Sequence, residues 1–161
     1  MSFSLHYGVV WTNFLAMSLT DTLKALATMT VIGVFGVFLH ECGHLFTARA
    51  FGVRGRIRIF VRRGKSKVWF LSVLGALIDD EDFHALKSWQ RRLVILGGPA
   101  IDVSFSLALL FAGGKAPGAA WLSGGLAMLG AVYLPCSAMN IVPMRALRND
   151  GWLMVRPGDA I

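Results

Sequence analysis

Residues 25–48 make an apolar segment of membrane length with no lysine or arginine and a single acid, Glu41. A helix needs about 20 mostly apolar residues to cross a bilayer. In lipid the backbone must satisfy its own hydrogen bonds, so such a segment is restricted to helix. Two more segments meet the same condition: 93–112, whose one charge is Asp102, and 119–142, which has none. With 161 residues in all and 55% hydrophobic content, no room remains for a separate soluble domain. The chain reads as one all-α polytopic membrane protein with three to four transmembrane helices.

The fourth helix would come from the N-terminal apolar segment, residues 1–24. Phe3 to Leu19 is apolar but carries His6, Thr12, Asn13 and Ser18, which suits a short span or an interfacial helix. It lacks the basic start and small-residue cleavage site of a secretory signal, so it is expected to stay attached.

The net charge of +7 would suit nucleic acid, but its placement points to membrane topology. Arg49, Arg54, Arg56, Arg58, Arg62, Arg63, Lys65 and Lys67 follow the first span; Lys87, Arg91 and Arg92 precede the second; Arg145, Arg148 and Arg156 follow the third. Only Lys115 lies between spans two and three. The positive-inside rule puts 49–92 and the C-terminal segment 143–161 in the cytoplasm. The basic segments also suit anionic lipid head groups. Base-reading aromatics interleaved with the basic residues are missing, so no nucleic-acid partner is expected.

Between the first two spans, Gly52 and Gly55 break the helix. Arg56-Ile57-Arg58-Ile59-Phe60-Val61 begins in strict polar–apolar alternation, Gly64-Lys65 suits a turn, and Val68-Trp69-Phe70-Leu71 suits a return strand. A β-hairpin over 56–73, on or dipping into the membrane surface, is expected. Asp79-Asp80-Glu81-Asp82 reads as a solvated loop or helix start. Phe83 to Arg92 reads as a short amphipathic helix leading into span two. Trp89 and Trp121 sit at span boundaries, where interfacial aromatics belong.

The chemistry lies in His40-Glu41-Cys42-Gly43-His44. Positions i and i+4 share one helix face, so His40 and His44 can hold one zinc ion together, with Glu41 beside it to take a proton from water on the metal. Ionisable groups inside a membrane segment are costly and usually functional. Cys42, one position further round the helix, reads as a small apolar filler. Two cysteines, Cys42 and Cys136, give no disulfide framework. A hydrolytic zinc site usually has a third protein ligand and one open position. Asp150, after the break at Pro143 to Gly151, and Asp102, buried in span two, are the candidates. Soluble proteases of the His-Glu-x-x-His type that use a downstream glutamate are excluded, since Glu81 is the only other glutamate.

At these residues the chain resembles the site-2 proteases, intramembrane zinc metalloproteases of peptidase family M50, in a short form without a PDZ domain. That family carries His-Glu-x-x-His on a transmembrane helix, Gly-Pro-x-x-Asn in a later span, and Asn-x-x-Pro leading to Leu-Asp-Gly. Here these appear as His40 to His44, as Gly98-Pro99-Ala100-Ile101-Asp102 with Asp in place of Asn, and as Asn140-Ile141-Val142-Pro143 followed by Asn149-Asp150-Gly151 with Asn in place of Leu. The resemblance implies one zinc ion per chain held by His40, His44 and Asp150. It also implies Glu41 as catalytic acid/base and Asn140 near the substrate carbonyl as an oxyanion stabiliser. Asn140 read by itself suits a helix cap or an interhelical hydrogen bond equally well. Asp102 is expected behind the ligands, as a protonated stand-in for Asn or a group that alters proton handling.

The implied activity is zinc-dependent endoproteolysis of transmembrane segments in membrane-protein substrates, that is, regulated intramembrane proteolysis. Its setting would be the cytoplasmic membrane of a bacterium or archaeon, with the site toward the cytoplasm. The chain ends ten residues after Gly151, where the family has a further span; the expectation is either a minimal member, or a second copy or partner chain covering that side of the site. The alternative is a catalytically inactive zinc-binding membrane adaptor. A purely structural site would not need Glu41.

Overall fold

The computed structural model describes residues 16–59, 74–115, 119–144 and 149–155. Residues 1–15 of the N-terminal segment, the expected turn at Gly64-Lys65, the expected return strand Val68–Leu71, Arg145, Arg148 and residues 156–161 lie outside them. The elements are α1 (Leu19–Ala50), β1 (Gly55–Ile59), β2 (Leu74–Ile78), α2 (Asp80–Ala85), α3 (Ser88–Lys115), α4 (Ala120–Ile141) and α5 (Asp150–Val155). Helices α1, α3 and α4 are each long and apolar enough to cross a membrane. They match the three expected spans: α1 and α3 extend beyond theirs, and α4 stops one residue short of 119–142 at each end.

The extensions follow from capping. Ser18 Oγ accepts from the Asp21 amide and donates to the Asp21 carboxylate, so α1 begins six residues before the apolar core at Ala25. At the other end, Gly52 takes φ of +79°. The Val53 amide then reaches back to Ala48 O and the Gly52 amide to Arg49 O. This is a Schellman termination, and its usual apolar contact is present, since Val53 and Ala48 share one buried cluster. The helix expected over 83–92 is instead broken. Asp79 caps α2 by accepting from the Asp82 amide; Leu86 is extended; and Gln90 Oε1 accepts from the Lys87 amide to start α3.

β1 and β2 pair antiparallel, with Arg56 opposite Leu77 and Ile57 opposite Ala76. The partner of β1 is therefore Leu74–Ile78. Arg54, just before β1, donates to Asp82 in α2 at 3.0 Å, and this guanidinium holds the Asp82 carboxyl below its ordinary range.

The chain divides into two compact units, residues 1–36 with 102–137 and residues 37–101 with 138–161. In the first, small residues let helices approach closely: a side chain on Gly113 would meet the Ala127 backbone, and one on Gly130 would meet Ser106 and Leu110. Phe105 and Tyr133 pack edge to face over Gly36. Asp102 and Ser106 are buried there, and Ser106 Oγ donates to Asp102 O. Outward side chains such as Val31 and Phe111 are exposed and apolar, as a lipid-facing surface requires.

The second unit holds a cluster of Ala48, Val53, Phe83, Val94 and Ile95, with Phe51, Ile78, Leu86, Leu153 and Met154 packed against it. Phe83 belongs to the short helix α2 outside the spans, where the alternative to burial is water and the hydrophobic term operates fully. Phe83→Ala is expected to destabilise this unit by about 3 kcal/mol. Denaturant unfolding in micelles, followed by circular dichroism, checks it as a lowered midpoint.

Candidate metal centre

Consecutive turns of α1 put His40 and His44 on one face, their rings 4.7 Å apart and nearly perpendicular. Their Nε2 atoms lie 3.1 Å apart. Asp150, the first residue of α5, brings Oδ2 to 3.2 Å from His40 Nε2 and 3.7 Å from His44 Nε2. Four ligands at about 2.0–2.1 Å from zinc stand about 3.3 Å apart at the corners of a tetrahedron. The three observed edges fit that spacing. His40, His44 and Asp150 are positioned to bind a metal ion, and they form the candidate cluster among the described residues.

The surroundings prepare each ligand. His44 Nδ1 lies 2.9 Å from Val94 O. A carbonyl only accepts, so the proton sits on Nδ1 and the Nε2 lone pair faces the cluster. Asp150 is held by Asn140, whose Nδ2 donates to Asp150 Oδ2 at 2.7 Å and whose Oδ1 faces the Asp150 amide at 3.4 Å. Burial alone would raise the Asp150 carboxyl. The neighbouring His40 and His44 rings outweigh burial and lower it below the usual carboxylate range.

In the sequence Asn149 stands out only as a departure from Leu. Its Oδ1 accepts from the Trp152 and Met144 amides, and its Nδ2 donates to Val142 O and Met139 O. It thus caps α5 and ties the ligand-bearing helix to the end of α4. The preference of Asn for N-caps was the available signal. Gly151 completes the joint, because a side chain there would collide with Ile141 O.

Gly98 has a second role besides the helix irregularity that Gly98-Pro99 suggests. α3 continues through Pro99, and a Cβ on Gly98 would strike His44 Nε2 and stand 2.7 Å from His40 Nε2. Gly43 and Gly97 permit the close crossing that brings Gly98 there, since a side chain on either would meet the other's backbone.

Glu41 is 7% exposed, and its Oε2 accepts from the Ala76 amide of β2 at 2.6 Å. Cys42 is half-buried and lies outside the ligand cluster. Asp102 falls in the first unit.

The family model of Peptidase family M50 matches residues 27–149. The chain belongs to peptidase family M50. Two curated relatives, each called Zinc metalloprotease Rip1, come from Mycobacterium tuberculosis and Mycobacterium bovis. Each is 29% identical over 104 residues, covering 49% of this chain and 26% of the relative. The chain spans about a quarter of the length of the curated relatives it matches. No solved structure matches it. Membership of M50 implies zinc, which the two imidazoles and one carboxylate suit as a donor set. Together with the three long apolar helices, it makes this an integral membrane protein.

Gly98→Ala is expected to weaken zinc binding at least tenfold while leaving the helical content intact. Competition with a chromophoric chelator, alongside circular dichroism, checks both parts.

Proposed function

We propose that this chain is a zinc-dependent endopeptidase that hydrolyses peptide bonds in transmembrane segments of membrane-protein substrates. The observation that carries this reading is a buried carboxylate, Glu41, next in sequence to a ligand and in the same unit as His40, His44 and Asp150. When bound, zinc lowers the pKa of water toward about 7 and polarises the scissile carbonyl. Glu41 takes the proton of the attacking water and delivers it to the leaving amine. His40, His44 and Asp150 would hold the metal.

Asn140 supports this site by orienting Asp150. Nδ2 carries a second N–H, and the oxyanion role implied by the family pattern would use that one while the bond to the carboxylate stays. We assign Asp102 no role in the step. A helical substrate hides its carbonyls in hydrogen bonds and must unwind first. The outer edge of β2 suits the unwound segment, which would add as a further strand. The basic residues of 49–92 favour a site toward the cytoplasm, in the cytoplasmic membrane of a bacterium or archaeon.

Glu41→Gln tests the activity. It is expected to abolish cleavage while zinc stays bound. New termini within or at the edges of transmembrane segments, found in membranes carrying the native chain and absent with Glu41→Gln, support the protease. Identical termini favour the zinc-binding adaptor, and loss of zinc in Glu41→Gln contradicts the role given to Glu41. Asn140→Ala is expected to weaken zinc binding about 10–100-fold, as loss of an outer-shell partner does. Unchanged affinity, measured by chelator competition, would leave Asn140 the oxyanion role alone.

A further inference from the structure

The bond between Glu41 and Ala76 joins the proposed base to the strand proposed to receive substrate. Which way the Ala76 amide faces follows from the ladder. The Asp79 amide donates to Arg54 O at 2.9 Å, which makes the pair 54/79 hydrogen-bonded. In an antiparallel ladder such pairs alternate with pairs that share no bond. With the observed register, 56/77 and 58/75 are bonded pairs, while Ile57 and Ala76 are not. The N–H and C=O of Ala76 therefore face away from β1. Among the described residues the sheet has two strands, and on its outer edge the Ala76 donor is taken by Glu41 Oε2.

An extended peptide adding to that edge would bond to the same N–H, because strand addition uses the outward donors and acceptors of the edge strand. Glu41 and such a peptide would then compete for one donor. We propose that the Ala76 amide is a shared donor, held by Glu41 in the free protein and passed to a backbone carbonyl of the substrate as an unwound segment pairs with β2. The inference rests on the proteolytic reading above. Substrate pairing and release of the base become one event. A segment that stays helical cannot take the donor, and Glu41 then remains engaged. Selection for unwound segments follows from the backbone geometry of β2. Ala76 acts here as a positioning residue through its amide alone.

The test is an affinity comparison in nanodiscs, using the zinc-loaded full chain and a transmembrane peptide of about 20 apolar residues with a central Gly-Pro break. Glu41→Gln keeps an acceptor for the amide, whereas Glu41→Ala removes it, and neither is expected to cleave. Handing over the donor predicts that Glu41→Ala binds the peptide about threefold to tenfold more tightly than Glu41→Gln. On the Glu41→Ala background, Ala76→Pro removes the donor and is expected to weaken binding by a similar factor relative to Ala76→Gly, which keeps it. Proline is tolerated there because the N–H it removes lies outside the β1–β2 ladder. Equal affinities for the two Glu41 variants, or no binding by any variant, overturn the proposal independently of how Ala76→Pro folds. Cleavage of the peptide by the native chain without this order of affinities overturns the hand-over alone. The order without cleavage upholds the hand-over as a binding device and overturns the protease reading.

Discussion

Two imidazoles and a carboxylate converging on one point in an apolar setting must be paired or bound to metal, because an isolated buried charge costs several kcal/mol. Much of the second unit serves that requirement. Val94 O settles the tautomer of His44, and Asn140 bonds the Asp150 carboxylate. Asn149 fixes the start of α5, and Gly98 leaves the space that both Nε2 atoms need. None of these groups is a ligand. Each restricts where a ligand atom can stand, and together they yield spacings that suit tetrahedral zinc.

The donor set also explains the local sequence on either side of it. Gly43, Gly97 and Gly98 are small because helix backbones and ring nitrogens occupy the space where their side chains would lie. In lipid there is little hydrophobic force between spans, so close approach of small residues supplies the packing. At the span ends Phe83, on a helix outside the spans, is driven by water into a cluster that packs α2 against the ends of α1 and α3. Lipid-type packing and water-type packing thus meet within one unit.

The spans were legible because length and lack of charge suffice to mark them. Their capped ends were less so: Leu19 to Lys24 is polar enough to fall outside an apolar window, yet it is helical because Ser18 and Asp21 satisfy its first turn. The first hairpin strand was visible in the alternation of Arg56, Ile57, Arg58 and Ile59. Its partner Leu74-Gly75-Ala76-Leu77-Ile78 has no such alternation, and two of its residues are poor strand formers, so nothing local announces it. His40 and His44 were readable from spacing alone. Asp150 needed the family pattern, since the residue types left Asp102 as a rival. The Glu41–Ala76 bond was invisible in principle, because a backbone amide leaves no trace in side-chain identity.

The central claim is a zinc ion held by His40, His44 and Asp150. X-ray absorption at the zinc edge tests it most directly, on the full chain loaded with one equivalent of metal. The account predicts nitrogen and oxygen scatterers only, at about 2.0–2.1 Å, with the outer-shell signature of two imidazoles that falls to one in His44→Ala. A sulfur scatterer at about 2.3 Å would bring Cys42 or Cys136 into the site and contradict it.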